Sequence, residues 1–141
     1  MENTNASAFT NDLLQGLKQH SEGLYYLSET DAPFEVVHFP ASQGQEPTNE
    51  ELTDWAGKEA GEKVETVELR YFFRNMSKET AEMSEEEKAY AVRFQELQLF
   101  IEQHLQEAKV YRVGQRRITA LVLGKPQTGG FAGLKTNLVE T

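Results

Sequence analysis

Six consecutive residues, Ile118-Thr119-Ala120-Leu121-Val122-Leu123, are almost wholly apolar. Side chains along a strand alternate between the two faces of a sheet. A run that is apolar at both parities therefore belongs to a central strand covered on both sides. The rest of the chain supplies that cover. Phe9, Leu13 and Leu17, with Leu14 beside them, recur at helical spacing, and Ser21-Glu22-Gly23 closes the stripe. Thr48 with Glu51, and Ser84 with Glu87, are capping boxes that each predict a helix start. After the second box, Tyr90, Phe94, Leu97, Ile101, Leu105 and Ala108 hold one apolar face. They predict a helix of about 25 residues, roughly 37 Å long.

Strand signals stand between these helices. Leu24–Leu27 and Phe34–Phe39 flank the turn chemistry of Ser28-Glu29-Thr30-Asp31-Ala32-Pro33, which predicts a hairpin. Val64, Val67 and Leu69 lead into Tyr71-Phe72-Phe73, an extended segment or a strand ending in a short turn, and Gly57 or Gly61 stops the helix before them. Val110–Val113 is a short strand followed by a Gly114-Gln115 turn, and Leu134, Thr136 and Leu138 alternate. Met1–Ala8 reads as a loose tail, Pro40–Pro47 as a polar loop and Gly124–Gly133 as a Gly-rich loop. Helices interleaved with strands predict an α+β fold, a three-layer α/β/α sandwich. The short connections predict a mixed, mainly antiparallel sheet. A chain of 141 residues fits a single domain over 1–141.

Catalytic chemistry is hard to find. The chain has no cysteine, which excludes disulfides, thiol catalysis and zinc–thiolate sites. His20, His38 and His104 are not in a two-histidine metal spacing, and no G-x-S-x-G elbow occurs. Thr128-Gly129-Gly130-Phe131-Ala132-Gly133 meets neither phosphate-loop spacing. It reads as a flexible connection or as a partner-contact loop. No cofactor and no metal of its own are expected. Trp55 reads as a half-buried core residue. No basic start followed by an apolar stretch opens the chain, so a cytoplasmic location is the expectation.

Charge points to the kind of partner. The net charge is −9, from 23 acidic and 14 basic residues. An acidic surface repels nucleic acid and anionic membrane and attracts basic proteins. The asymmetry is large: residues 1–108 hold 22 acids and 8 bases, and residues 109–141 hold one acid and six bases. Arg112, Arg116, Arg117, Lys125 and Lys135 could be taken for a nucleic-acid patch, but the acid elsewhere opposes phosphate binding. Glu79, Glu82, Glu85, Glu86 and Glu87 form an acidic cluster, either a helix start with a solvated face or a docking surface for a basic partner.

Two stretches carry more. Ser21–Phe34, SEGLYYLSETDAPF, runs into EVVHF, and Val110–Thr141 reads VYRVGQRRITALVLGKPQTGGFAGLKTNLVET. With Phe72-Phe73 and Phe94-Gln95-Glu96-Leu97, they resemble the nuclease A inhibitor family of bacterial proteins. The resemblance implies an α/β/α sandwich that is not an enzyme. It implies a partner as well, a sugar-nonspecific, magnesium-dependent DNA/RNA endonuclease. Two elements are implied to plug that enzyme. The acid of the S-E-[ST] turn, here Glu29, pairs with basic active-site groups. The C-terminal threonine, here Thr141, presented by Val139-Glu140, reaches the metal ion of the partner. Carboxylate and hydroxyl oxygens suit both tasks. Where the family has an Asp-Trp pair before the long helix, this chain has Ala81 and Glu82, which makes Glu82 the candidate contact there. A tryptophan anchor is worth on the order of 2 kcal/mol or more, so its loss bears on which nuclease is the target. The reading from another class is a non-inhibitory interaction or regulatory domain with the same fold.

Overall fold

The computed structural model describes residues 3–39 and 46–140, with side chains from Phe9 onward. It is a mixed α plus β structure with antiparallel sheets. The elements in chain order are α1 (Asn3–Ser21), β1 (Tyr25–Leu27), β2 (Asp31–Pro33), β3 (Glu35–Phe39) and α2 (Asn49–Trp55). Then come β4 (Val64–Glu68), α3 (Leu69–Phe72), α4 (Glu85–His104), β5 (Gln106–Val113), β6 (Arg117–Lys125) and β7 (Phe131–Val139). Five strands form one sheet in the order β3-β7-β6-β5-β4, and β1 pairs with β2 in a separate two-stranded ribbon.

The apolar run of β6 is the third of the five strands, as its two apolar faces require. Ile118, Ala120 and Val122 join Ala132, Leu134 and Leu138 of β7 on one face. Leu17 of α1, Phe72 of α3, and Phe94, Leu97 and Ile101 of α4 pack against them. Leu121 and Leu123 point the other way, with Tyr111, Val113 and Phe131, onto Leu52 and Ala56 at α2. Trp55 is half-buried in this second cluster, stacked on Phe39 at 4.3 Å and tilted against Phe131 at 5.9 Å. Gly133 is needed where β7 crosses β6, because a Cβ there would collide with the Val122 carbonyl.

Both capping boxes form. Thr48 Oγ1 accepts from Glu51 N at 3.1 Å, and Ser84 Oγ accepts from Glu87 N at 3.1 Å. Each glutamate carboxylate in turn accepts from the backbone N–H of its cap residue, at 2.9 and 2.8 Å. A cap of this kind contributes about 1 kcal/mol.

Several expectations are corrected. β1 does not form a hairpin with β3. It pairs with Asp31–Pro33 inside the expected turn, Tyr25 opposite Pro33, while β3 pairs with β7. The backbone N–H groups of β3 find a longer partner in β7, and the short β2 satisfies β1. The α4 helix has 20 residues rather than about 25, and Leu105 and Ala108 lie beyond it. Leu105 is extended and still buried, and β5 begins at Gln106 with an irregularity at Glu107, whose φ is 55°. The Gly-rich loop shrinks to residues 126–130, since Gly124 belongs to β6 and Phe131–Gly133 to β7. α1 reaches back to Asn3, into the segment expected as a tail. Most of the Pro40–Pro47 loop lies outside the described residues.

Candidate functional site

The Ser28-Glu29-Thr30 turn is held by its own side chains. Ser28 Oγ donates to the Thr30 carbonyl at 2.8 Å, and the Ser28 N–H donates to the same carbonyl at 3.0 Å. Serine favours such local bonds and so rigidifies a turn. The turn is then bound to the end of β7. The Val139 N–H donates to Ser28 Oγ at 3.1 Å, and the Glu29 N–H donates to the Val139 carbonyl at 3.3 Å. Lower down, Thr136 Oγ1 donates to the Pro33 carbonyl at 2.8 Å. The β1–β2 ribbon is therefore fixed along β7, and Glu29 is exposed at the tip of a braced turn.

These two elements wall a groove of about 430 Å³. Glu29 and Glu140 both line it, together with Tyr71, Arg74, Asn75 and Arg112. Tyr26 stacks on Phe72 at 4.3 Å between ring centroids, and its hydroxyl donates to the Phe72 carbonyl at 3.2 Å. Burial pushes the Tyr26 phenol up, against the opposing pull of Arg112 and Arg74, so the hydroxyl remains a neutral donor.

Arg112 is the pivot between strand and chain end. Its guanidinium pairs with the Glu140 carboxylate through Nη2, and Nε lies 3.6 Å from Glu65 Oε1. The side chain is 17% exposed, and among the described residues its Nε lacks a hydrogen-bond partner. The Glu140 N–H also donates to the Arg116 carbonyl at 2.9 Å, so backbone and side chain of Glu140 are both held.

The sequence candidates separate accordingly. Glu29 and Glu140 come together on one groove. Glu82 is exposed in the turn before α4 and does not line the groove. Thr141 lies outside the described residues. Of the residues that could be taken for a nucleic-acid patch, Arg112 pairs with Glu65 and Glu140, Lys125 pairs with Glu107, Lys135 donates to the Trp55 carbonyl, and Arg116 and Arg117 are exposed. Lys109, Arg112 and Lys125 thus each meet an acid from residues 1–108, and Arg112 also meets Glu140. His20 and His104 stack on either side of Phe100, each Nδ1 donating to a backbone carbonyl four residues earlier. Among the described residues no group of three His, Asp or Glu side chains could hold a metal ion. No described helix is long and apolar enough to cross a membrane.

Tyr71, Arg74 and Asn75 were not singled out as candidate contacts from the sequence. Their signal is faint: an aromatic triplet in which only the helical turn of α3 decides that Phe72 and Phe73 go inward and Tyr71 outward.

Residues 11–141 match the family described as nuclease A inhibitor-like protein. The chain belongs to that family. Membership in the nuclease A inhibitor-like family implies a nuclease as the partner class. No curated protein matches the chain.

Proposed function

We propose that this protein inhibits a sugar-nonspecific, magnesium-dependent DNA/RNA nuclease by occupying its active site. It acts as a single domain over 1–141 with a three-layer α/β/α arrangement, and it does no chemistry itself. Glu29 enters where the scissile phosphate would bind and pairs with basic groups there. Val139-Glu140-Thr141 enters beside it, with Thr141 directed to the metal ion of the nuclease. Glu82 contacts the partner at the margin. The work is done in the cytoplasm, on an enzyme that would otherwise meet nucleic acid there.

The observation that carries this reading is the pair of hydrogen bonds joining the Ser28-Glu29 turn to Val139. A plug of two carboxylate-bearing segments needs them at a fixed separation, and rigid presentation lowers the entropy lost on binding. Family membership supplies the partner class. The test is a nuclease assay on DNA and RNA. The protein in molar excess should abolish cleavage by a magnesium-dependent, sugar-nonspecific nuclease from its own or a related organism. It should cleave neither polymer alone. Full nuclease rates throughout the panel would overturn the reading.

A further inference from the structure

Five large apolar side chains stand exposed among the described residues: Phe9, Tyr25, Leu27, Tyr71 and Leu99. Two of them, Leu27 and Tyr71, line the groove that holds Glu29 and Glu140. Tyr25 is two residues from Leu27 on the same exposed side of β1. Exposed apolar groups scattered singly need no explanation, whereas a cluster beside a candidate site does.

Tyr71 is held as an anchor is held. Its neighbours Phe72 and Phe73 are buried in the core at 2% and 0% exposure, while Tyr71 is 53% exposed. The Arg74 guanidinium lies 3.6 Å from the Tyr71 ring centroid. Arg74 Nη1 donates to the Tyr71 carbonyl at 2.6 Å. Among the described residues Arg74 pairs with no carboxylate, in contrast to Arg112 in the same groove. The stack is thus pre-ordered, with one aromatic face covered by a cation whose other N–H donors have no acceptor among the described residues. Tyrosine and arginine are among the residue types enriched in binding hot spots; tyrosine offers a large area with two torsions to fix, and here the stack already orders the arginine.

We propose that the Tyr71–Arg74 stack, with Leu27 of the same groove, is the apolar anchor that docks on the nuclease surface beside its active site. This rests on the inhibitor reading, since the occupant is the same enzyme that receives Glu29. The chemistry asked of the partner differs at the two places. Glu29 requires a cationic recess. The stack requires an apolar face with a carboxylate or carbonyl set to accept from Arg74. The groove therefore recognises a nuclease whose basic site has an acidic, partly apolar rim. Glu29 would be met by any phosphate-binding site, whereas the stack selects one enzyme among them.

The test compares native protein with Y71A, R74A, the double variant Y71A/R74A, E29Q and L99A, by inhibition and by dissociation constant against a nuclease that the native protein inhibits. Y71A and R74A should each raise Kd about tenfold or more. The double variant should lose less than the product of the two, because the residues act as one stack. L99A, an exposed apolar truncation outside the groove, should bind as native. Thermal melting should be unchanged in Y71A, whose ring is largely exposed. Native affinity in Y71A and R74A together with a loss in E29Q would overturn the anchor and leave the plug standing. Absence of inhibition by the native protein across the nuclease panel would remove the inhibitor reading and the anchor with it.

Discussion

Two carboxylates with similar exposure have different expected weights. Glu29 stands on a turn braced by Ser28 and Val139, whereas Glu85 lies in the first turn of α4. An acid at a helix start contributes about 0.3–1 kcal/mol through the dipole. An acid that neutralises a buried cation in a complex costs on the order of 2–5 kcal/mol when removed, because the partner charge is left uncompensated. Glu29→Gln should therefore raise the inhibition constant by well over an order of magnitude, and Glu85→Gln should leave it within about twofold. Equal small effects would show that Glu29 does not enter a cationic site. Tyr111 gives a second prediction at this scale. Burial, aided by Glu46 and Glu107, pushes its phenol from 10.0 up to about 12. The folded chain favours the neutral phenol, so the associated stability is intact below pH 10 and is lost as pH rises through 12. Tyr111→Phe should flatten the alkaline fall of the melting temperature, and an unchanged fall would assign it to other groups.

At the scale of elements, legibility followed locality. The capping boxes Thr48/Glu51 and Ser84/Glu87 were readable because both partners lie within four residues. The end of α4 was not, since Leu105 keeps the apolar spacing and stays buried while its backbone has already turned extended. A side-chain pattern records burial, and burial here continues through a change of backbone. The partner of β1 was hidden for a similar reason: three-residue strands carry too little alternation to rank pairings, and the choice is made by β7 capturing β3. The candidate site shows the same division. Glu29 was visible only through resemblance, and the ion pair of Arg112 with Glu140 spans 28 residues. Such a contact exists only once β5, β6 and β7 are in register. That ion pair gives a prediction for the last segment. Deleting Glu140 and Thr141 should leave the melt within a few degrees, because β7 pairing ends at Val139 opposite Arg117. Inhibition should fall sharply. Arg112→Gln should reproduce part of the loss, by freeing Glu140 from its hold. Retained inhibition in both variants would place the contact surface on Glu29 and the Tyr71 side alone.

At the scale of the whole molecule, charge would set how fast the proposed contact forms. A net charge of −9 on a small domain gives a long-range field that favours approach to a basic cleft. The six cations of residues 109–141 are already counted in this net charge, and three of them, Lys109, Arg112 and Lys125, lie against acids. Around Glu29 the near field is mixed, since Arg74 lines the same groove. Steering and holding should then separate experimentally. Raising salt from about 0.1 M to about 1 M shortens the screening length from about 10 Å to about 3 Å. The association rate should fall by an order of magnitude or more over that range, as expected for charge-steered encounter. Contacts already desolvated in the complex are screened much less, so the dissociation rate should change far less. The variants divide in the same way. Neutralising surface acids remote from the groove, such as Glu59 and Glu62, should lower the association rate and its salt slope. Tyr71→Ala should raise the dissociation rate with the salt slope of association intact, because an aromatic ring carries no net charge to steer with. Stopped-flow association at several salt concentrations reads both quantities on one sample. An association rate indifferent to salt would mean that the acidic surface has no part in recognition and that encounter is governed by shape at the groove alone.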